Sequence, residues 1–332
     1  MLNHSLKLNT KIWNDDIEKA STRLGFGKGL VKAGTNNENI VVLSADLMES
    51  TKADLFAEKF PERFIEVGVA EQNMASVASG IASMGKIPFI TSYAIFNPGR
   101  NWEQIRTTIC YNNQPVKIIG SHAGLSVGPD GGSHQELEDI AITRVIPNMV
   151  VLSPCDAIEA EKATIACALT KDPTYIRLAR NDTPLVTTSD TPFEIGKGQI
   201  VFVPEVGLAQ VGIISTGPIL YKVLIAARLL EKRGIKVKVL NLSTIKPLDE
   251  KSVIALAKET RAIVTVEDHQ VAGGMGSACA ECLTQNYAVP MEFIGVKDKF
   301  GQSGTPQELE KHYGIDIPDI EEKVEKVLKR KV

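Results

Sequence analysis

The chain has 332 residues, 43% of them hydrophobic and 23% charged, with a formal net charge of −3. That length exceeds one ordinary core and predicts two domains, while the composition excludes a disordered chain. The charge gives no electrostatic basis for binding nucleic acid or an anionic membrane, and no apolar run approaches the ~18 residues of a transmembrane helix.

The opening MLNHSLKLNTKIW has neither the apolar core nor the cleavage site of a secretory leader. A helix is expected over 15–34, and GFGKG (25–29) within it reads as helix packing, having neither a dinucleotide fingerprint nor a Walker lysine. Strands are expected at 40–46, 63–69, 86–93, 115–121, 149–153 and 173–179. Helices at 71–84, 99–112, 134–144 and 156–170 separate them. Alternation of this kind, with continuously apolar strands, means a parallel sheet covered on both faces.

NDTPLVTTSDTPFEIG (181–196) is aperiodic and rich in Pro, Thr, Ser and Asp, as a linker is. Beyond it, strands at 211–216, 236–242, 262–268 and 291–296 alternate with helices at 218–233, 249–259 and 274–286. The fold class is therefore α/β, with two consecutive open α/β domains and mostly parallel sheets. They run over 10–185 and 197–330, joined by a linker at 186–196. The basic ending KVEKVLKRKV suits the last turns of a helix.

Five scattered cysteines, an odd number, fit reduced thiols and a cytoplasmic location. Cys279 and Cys282 form a lone CxxC within a helical stretch and lack the second ligand pair of a zinc site, so inert packing is expected. GGMG (273–276) precedes a helix and could cradle a phosphate, but close helix–strand packing explains it as well.

Ligands of open parallel sheets bind beyond the carboxyl ends of strands. Four loops there carry chemistry. SADLMEST (44–51) offers Asp46 and hydroxyls, and GVAEQN (68–73) offers Glu71. SHAGLSVGPDGGSHQ (121–135) offers His122, Asp130 and His134, and RLARND (177–182) offers Arg177 and Arg180. Each has a bland reading: Glu71 as a first-turn acid worth ~0.3–1 kcal/mol, Asp130 as a turn former, the arginines as surface ion pairs. Only their joint presence is telling.

As a set, VGVAEQNM, SADL, GPDGGSHQELED and RLARN, in this order and spacing, resemble the transketolase family of thiamine diphosphate enzymes. VTVEDHQVAGGMGS and GTPQELEKHYGI are also similar to theirs, so the resemblance covers residues 10–330 as the pyrimidine-binding and C-terminal domains. It implies that Glu71 hydrogen-bonds N1′ of the cofactor, which requires the acid to be sheltered from water. Small residues in the following helix would let cofactor and a partner subunit approach closely. Tyr93 and Phe96 resemble the aromatic pocket for the pyrimidine, with Trp102 a candidate third member, and Asp46 is a further cofactor-binding residue.

The same resemblance gives His122, Asp130 and His134 to substrate hydroxyls, with both histidines moving protons. Arg23, Ser50 and Arg180 match the group that receives a sugar phosphate, where two arginines suit bidentate binding. The family's GDG motif, which holds the diphosphate through a divalent metal, does not occur in the sequence. The chain is thus expected to be the C-terminal subunit of a split transketolase. An N-terminal subunit would carry the Mg or Ca ion in an α2β2 heterotetramer acting on sugar phosphates, with no metal site on this chain. The alternatives are the beta subunit of a 2-oxo acid dehydrogenase and a non-catalytic assembly module of the same fold. Retention of Glu71, His122, Asp130 and His134 together argues against the module.

Overall fold

A computed structural model describes residues 1–331. The strands, in chain order, are β1 (Lys19–Ser21), β2 (Ile40–Ser44), β3 (Phe64–Glu66), β4 (Ile87–Tyr93), β5 (Lys117–Ser121), β6 (Val150–Leu152) and β7 (Thr174–Arg177). They continue as β8 (Asp182–Pro184), β9 (Gln199–Phe202), β10 (Val211–Ser215), β11 (Val237–Asn241), β12 (Thr244–Lys246), β13 (Ile263–Gln270) and β14 (Met291–Val296).

The first sheet runs β12-β6-β7-β5-β4-β2-β3, parallel except for β12. β2, β5 and β7 are buried along their whole length, as a sheet covered on both faces requires. β3 and β4 lie on opposite sides of β2, so the winding reverses there. Ligand sites of doubly wound sheets form at such a reversal. The second sheet runs β14-β13-β10-β11-β9, with β9 antiparallel.

The two units are interleaved more than the sequence pattern suggests. β12, from the second half, completes the first sheet. Ile12 and Ile17, expected with the first unit, pack instead in the core of the second, with Val211, Leu224 and Val324. The helix expected from residue 15 begins at Thr22. The residues before it form β1, which pairs antiparallel with β8, at the end of the expected first domain and just before the expected linker. The helix expected over 99–112 is a short turn at Trp102–Gln104 followed by a π-helical Ile105–Cys110. That over 134–144 is helical only at Asp139–Arg144.

Glycines set one close contact. A Cβ on Gly25 would lie 1.9 Å from the Ala157 carbonyl oxygen, so helix Thr22–Asn36 seats directly on helix Ala157–Ala168. At GGMG, the amides of Met275 and Gly276 donate to the Glu267 carboxylate at 2.7 and 2.8 Å. That helix start is occupied by the chain's own acid. Cys279 and Cys282 are both buried in the same helix, and burial pushes the Cys279 thiol up.

Candidate active site

The chain leaves β3 through Gly68, whose φ of +71° suits a residue without a side chain. Helix Glu71–Ser83 starts three residues later with no side-chain cap. Glu66 ties the turn down: its Oε1 accepts from the amides of Asp46 and Gly68, both at 2.8 Å. The β2 and β3 exits are thereby held together. Asp46 itself is exposed at the rim of a depression of about 620 Å³ that Ser50 also lines.

Glu71 is only 2% exposed. Its Oε2 accepts from Arg100 Nη1 at 3.0 Å, while Oε1 makes no hydrogen bond among the described residues. Its backbone carbonyl accepts from Asn101 Nδ2 at 3.1 Å, and Asn101 also donates to Asn97 Oδ1 at 2.9 Å. Asn97 in turn donates to the carbonyls of Ile90 and Ile119, each at 3.1 Å. A buried amide network thus pins the loop after β4 to the sheet and sets the wall beside Glu71.

That wall is aromatic. Tyr93 and Phe96 are near-parallel, with centroids 6.2 Å apart and planes at 12°. His122 stacks on Tyr93 at 3.9 Å, and His134 stands edge-on to Phe96 at 5.7 Å. Trp102 does not join them: its Nε1 donates to the Ile142 carbonyl at 2.6 Å and its ring packs against the core. The group lying over Phe96 is the Arg100 guanidinium, 4.6 Å from the ring centroid.

His122 follows β5 in the left-handed region, φ +56°, with Nδ1 3.0 Å from Ser121 Oγ. It is 2% exposed. Burial first, then Arg23, Arg180 and His134, push its pKa down to about 3. The imidazole is therefore neutral at ordinary pH, and Nε2 can accept or donate one hydrogen bond without carrying charge. His134 is half-buried with Nδ1 3.0 Å from Ser133 Oγ.

The second unit holds this loop in place. Asp268 accepts from the Leu125 amide with both oxygens at 3.1 Å, and Gln135 Nε2 donates to the carbonyls of Gly128 at 3.1 Å and Gln302 at 3.0 Å. Arg177 is no surface ion pair. It is 6% exposed, donating from Nε to Asp139 at 2.9 Å and from Nη2 to the Asp268 carbonyl at 2.7 Å.

Arg23, Ser50, Arg180 and Asp130 form a second cluster. Arg23 donates from Nε to the Arg180 carbonyl at 3.0 Å and from Nη1 to the Ser50 carbonyl at 2.7 Å. Arg180 Nη1 donates to the Val127 carbonyl at 2.6 Å and meets Asp130 at 3.3 Å. Burial first, then the Arg180 charge, lower the Arg23 pKa. Two arginines held this close have the geometry that suits recognition of an anion.

Sequence reasoning did not single out Arg100, Asn97, Glu66 or Glu136. Glu136 is 2% exposed with Oε2 facing Gly99, and burial, then Asp139 and Glu138, push its pKa up to about 8. Arg100 and Asn97 sit in the same TSYAIFNPGRNW stretch as the aromatics, so their proximity to Phe96 was the available signal. A sheltered carboxylate with a free oxygen beside stacked rings fits the pyrimidine end of thiamine diphosphate. No group of three or more His, Cys, Asp or Glu that could hold a metal ion occurs among the described residues.

Comparison with known proteins gives the same identity to the fold. Residues 18–186 match the transketolase pyrimidine-binding domain, and residues 205–320 the transketolase C-terminal domain. A Methanocaldococcus jannaschii protein named for a transketolase C-terminal section is 43% identical over 93% of this chain and 96% of its own. A Clostridium 6-deoxy-6-sulfo-D-fructose transketolase subunit is 38% identical over 91% of this chain and 92% of its own. A solved structure described as "Split gene transketolase, inactive beta4 tetramer" superposes with a TM-score of 0.87 at 43% identity, covering 94% of this chain and 99% of that one. The chain belongs to the transketolase family, as the half that carries the pyrimidine-binding and C-terminal domains.

Proposed function

We propose that the chain is the C-terminal subunit of a split transketolase, moving a two-carbon ketol unit from a ketose phosphate to an aldose phosphate. The observation that carries this reading is Glu71, buried at the reversal of the sheet with Oε1 making no hydrogen bond among the described residues and stacked aromatics alongside. Thiamine diphosphate bound there supplies the carbon nucleophile. Glu71 holds N1′, Tyr93 and Phe96 carry the ring, and Asp46 closes the β2 side. His122, neutral, and His134 exchange protons with substrate hydroxyls, which Asp130 orients. Arg23, Ser50 and Arg180 take the phosphate.

The diphosphate and its Mg or Ca ion belong to an N-terminal subunit, and the working assembly is an α2β2 heterotetramer in the cytoplasm, serving the pentose phosphate pathway. The name of the similar structure, an inactive tetramer of one subunit type, supports dependence on a partner. No helix among the described residues is long and apolar enough to cross a membrane. The relative named for a sulfonated fructose favours one further reading, since the same two arginines suit a sulfonate.

The test mixes this chain with its N-terminal partner, thiamine diphosphate and a divalent ion. Ketol transfer from xylulose 5-phosphate to ribose 5-phosphate is expected, absent without the partner. Turnover of pyruvate instead would favour the 2-oxo acid dehydrogenase beta subunit, and near-normal turnover by Glu71→Gln would favour the assembly module. A strong preference for 6-deoxy-6-sulfofructose over xylulose 5-phosphate would establish the sulfonate reading.

A further inference from the structure

His122, Asp130 and His134 lie on one excursion of the chain, between the end of β5 at Ser121 and the start of helix Asp139–Arg144. Three consecutive residues at the end of β13, in the second unit, grip both ends of it. Asp268 accepts from the Leu125 amide with both carboxylate oxygens at 3.1 Å. The Gln270 amide donates to the Leu137 carbonyl at 2.8 Å. His269 is fully buried with Nδ1 2.7 Å from the Gln270 carbonyl, so Nδ1 carries the hydrogen and Nε2 accepts from the Ile140 amide at 3.2 Å.

The first grip bears on His122. Its φ of +56° is a left-handed backbone, which a residue with a side chain keeps only where its surroundings impose it. The next three amides are all engaged: Ala123 donates to the Leu178 carbonyl at 3.0 Å, Gly124 to the Glu136 carbonyl at 2.8 Å, and Leu125 to Asp268. Of these partners only Asp268 belongs to the second unit. A Cβ on Gly124 would lie 2.1 Å from Asp268 Oδ2, so the carboxylate is seated directly on the loop backbone. Arg177 fixes it from behind by donating to the Asp268 carbonyl at 2.7 Å.

We propose that Asp268 is a positioning residue for ketol transfer: its carboxylate holds Gly124 and Leu125, and thereby keeps the His122 imidazole aimed at the substrate hydroxyls. The second unit contributes to turnover through this contact. The proposal rests on the transketolase reading above.

The test uses the assembled complex with thiamine diphosphate, a divalent ion and sugar phosphates. Displacing a reacting group by about 1 Å costs on the order of 100-fold, so Asp268→Ala should lower kcat/KM by about that factor. Asp268→Asn keeps the shape and one acceptor oxygen, and a neutral acceptor is about half as strong, so its loss should be roughly tenfold. Exchange of the thiazolium C2 hydrogen for deuterium, which needs the bound cofactor but no substrate, should keep its wild-type rate in both variants. In the chain alone, hydrogen exchange at the Leu125 amide should accelerate in both. Arg144→Met cuts another contact of the same seam, to Glu281 at 2.6 Å and the Gly273 carbonyl at 3.4 Å, and should leave kcat/KM unchanged. Wild-type kcat/KM or wild-type Leu125 protection in either Asp268 variant, C2 exchange lost in step with ketol transfer, or an equal loss in Arg144→Met would each overturn the proposal. A wild-type complex showing neither C2 exchange nor ketol transfer would overturn the transketolase reading and this proposal with it.

Discussion

The ring of Tyr93 lies on the imidazole of His122, centroids 3.9 Å apart and planes 22° from parallel. One stack thus joins the wall beside Glu71 to the loop that carries the candidate substrate residues. Tyr93 covers His122 as it shapes the wall. The imidazole's low pKa follows from that cover and from the nearby arginines.

The stack makes the first prediction one about pH. Folding lowers the His122 pKa from 6.5 to about 3, so the unfolded chain binds the extra proton between those values. Stability from this residue is full above the unfolded pKa and declines as pH falls toward the folded one. In the wild type the His122 C2–H resonance should not titrate between about pH 5 and 8. Tyr93→Ala, which lets water reach the ring, should raise the midpoint toward the ordinary value. A wild-type midpoint in the ordinary range would refute the assignment of a neutral His122.

Arg180 gives the second. It contacts the candidate substrate loop through Val127 and Asp130, and its side chain stays partly exposed. A charge-assisted hydrogen bond contributes about 1.5–3 kcal/mol, so Arg180→Met should raise KM for phosphorylated sugars roughly 10- to 100-fold. The KM for an unphosphorylated ketose should hardly change. Steady-state kinetics on both substrates checks it, and an equal loss on each would assign Arg180 to loop structure instead.

The third concerns the seam between the two units. Asp139 accepts from Arg177 and from the Tyr175 hydroxyl at 2.6 Å, and Arg177 reaches the second unit at the Asp268 carbonyl. Removing one partner of a buried pair leaves the other charge stranded, at a cost of about 3–5 kcal/mol. Arg177→Met should lower the urea midpoint accordingly. The double variant Arg177→Met/Asp139→Leu should recover part of the loss, and a single variant as stable as wild type would show that water compensates the pair.

The parallel strands were legible because apolar runs such as IVVLS and KIIGS have no exposed face to hide. His122 directly follows β5, and Glu71 and Phe96 come shortly after β3 and β4, so strand exits drew attention to these loops. Tyr93 ends β4 itself and His134 lies well beyond β5, and their roles were expected only through the family resemblance. What stayed hidden is non-local. β1 and β8 are three-residue strands that pair across more than a hundred residues, and β12 joins a sheet built by the other half of the chain. Helix 134–144 was read too long because its first residues are apolar and acidic enough to pass as helix. They are spent on contacts to Gln302 and on the bridge between Ala123 and Glu136. The sequence offered only the nearness of Arg100 to Phe96 along the chain; its pairing with Glu71 is non-local, and only the fold shows it.

The last prediction contrasts two glycines. A methyl on Gly25 would meet the Ala157 backbone at 1.9 Å, and backbone cannot step aside as a side chain can. Overpacking of this kind costs about 1–3 kcal/mol, so Gly25→Ala should destabilise the chain by that order in chemical denaturation. Gly80 lies in the interior of helix Glu71–Ser83, and a methyl there would meet nothing within 4 Å. Gly80→Ala should stabilise the isolated chain by roughly 0.5–1 kcal/mol, through helix propensity alone. Its neighbours Ser76, Val77 and Met84 are also exposed, Met84 by 82%. Gly80 and Ser76 on this exposed face leave room for close approach by a partner chain, so the same methyl should weaken association with the proposed N-terminal subunit. Calorimetric titration of the two subunits measures that. A Gly80→Ala chain that is more stable alone and assembles as tightly as wild type would place the contact on some other face.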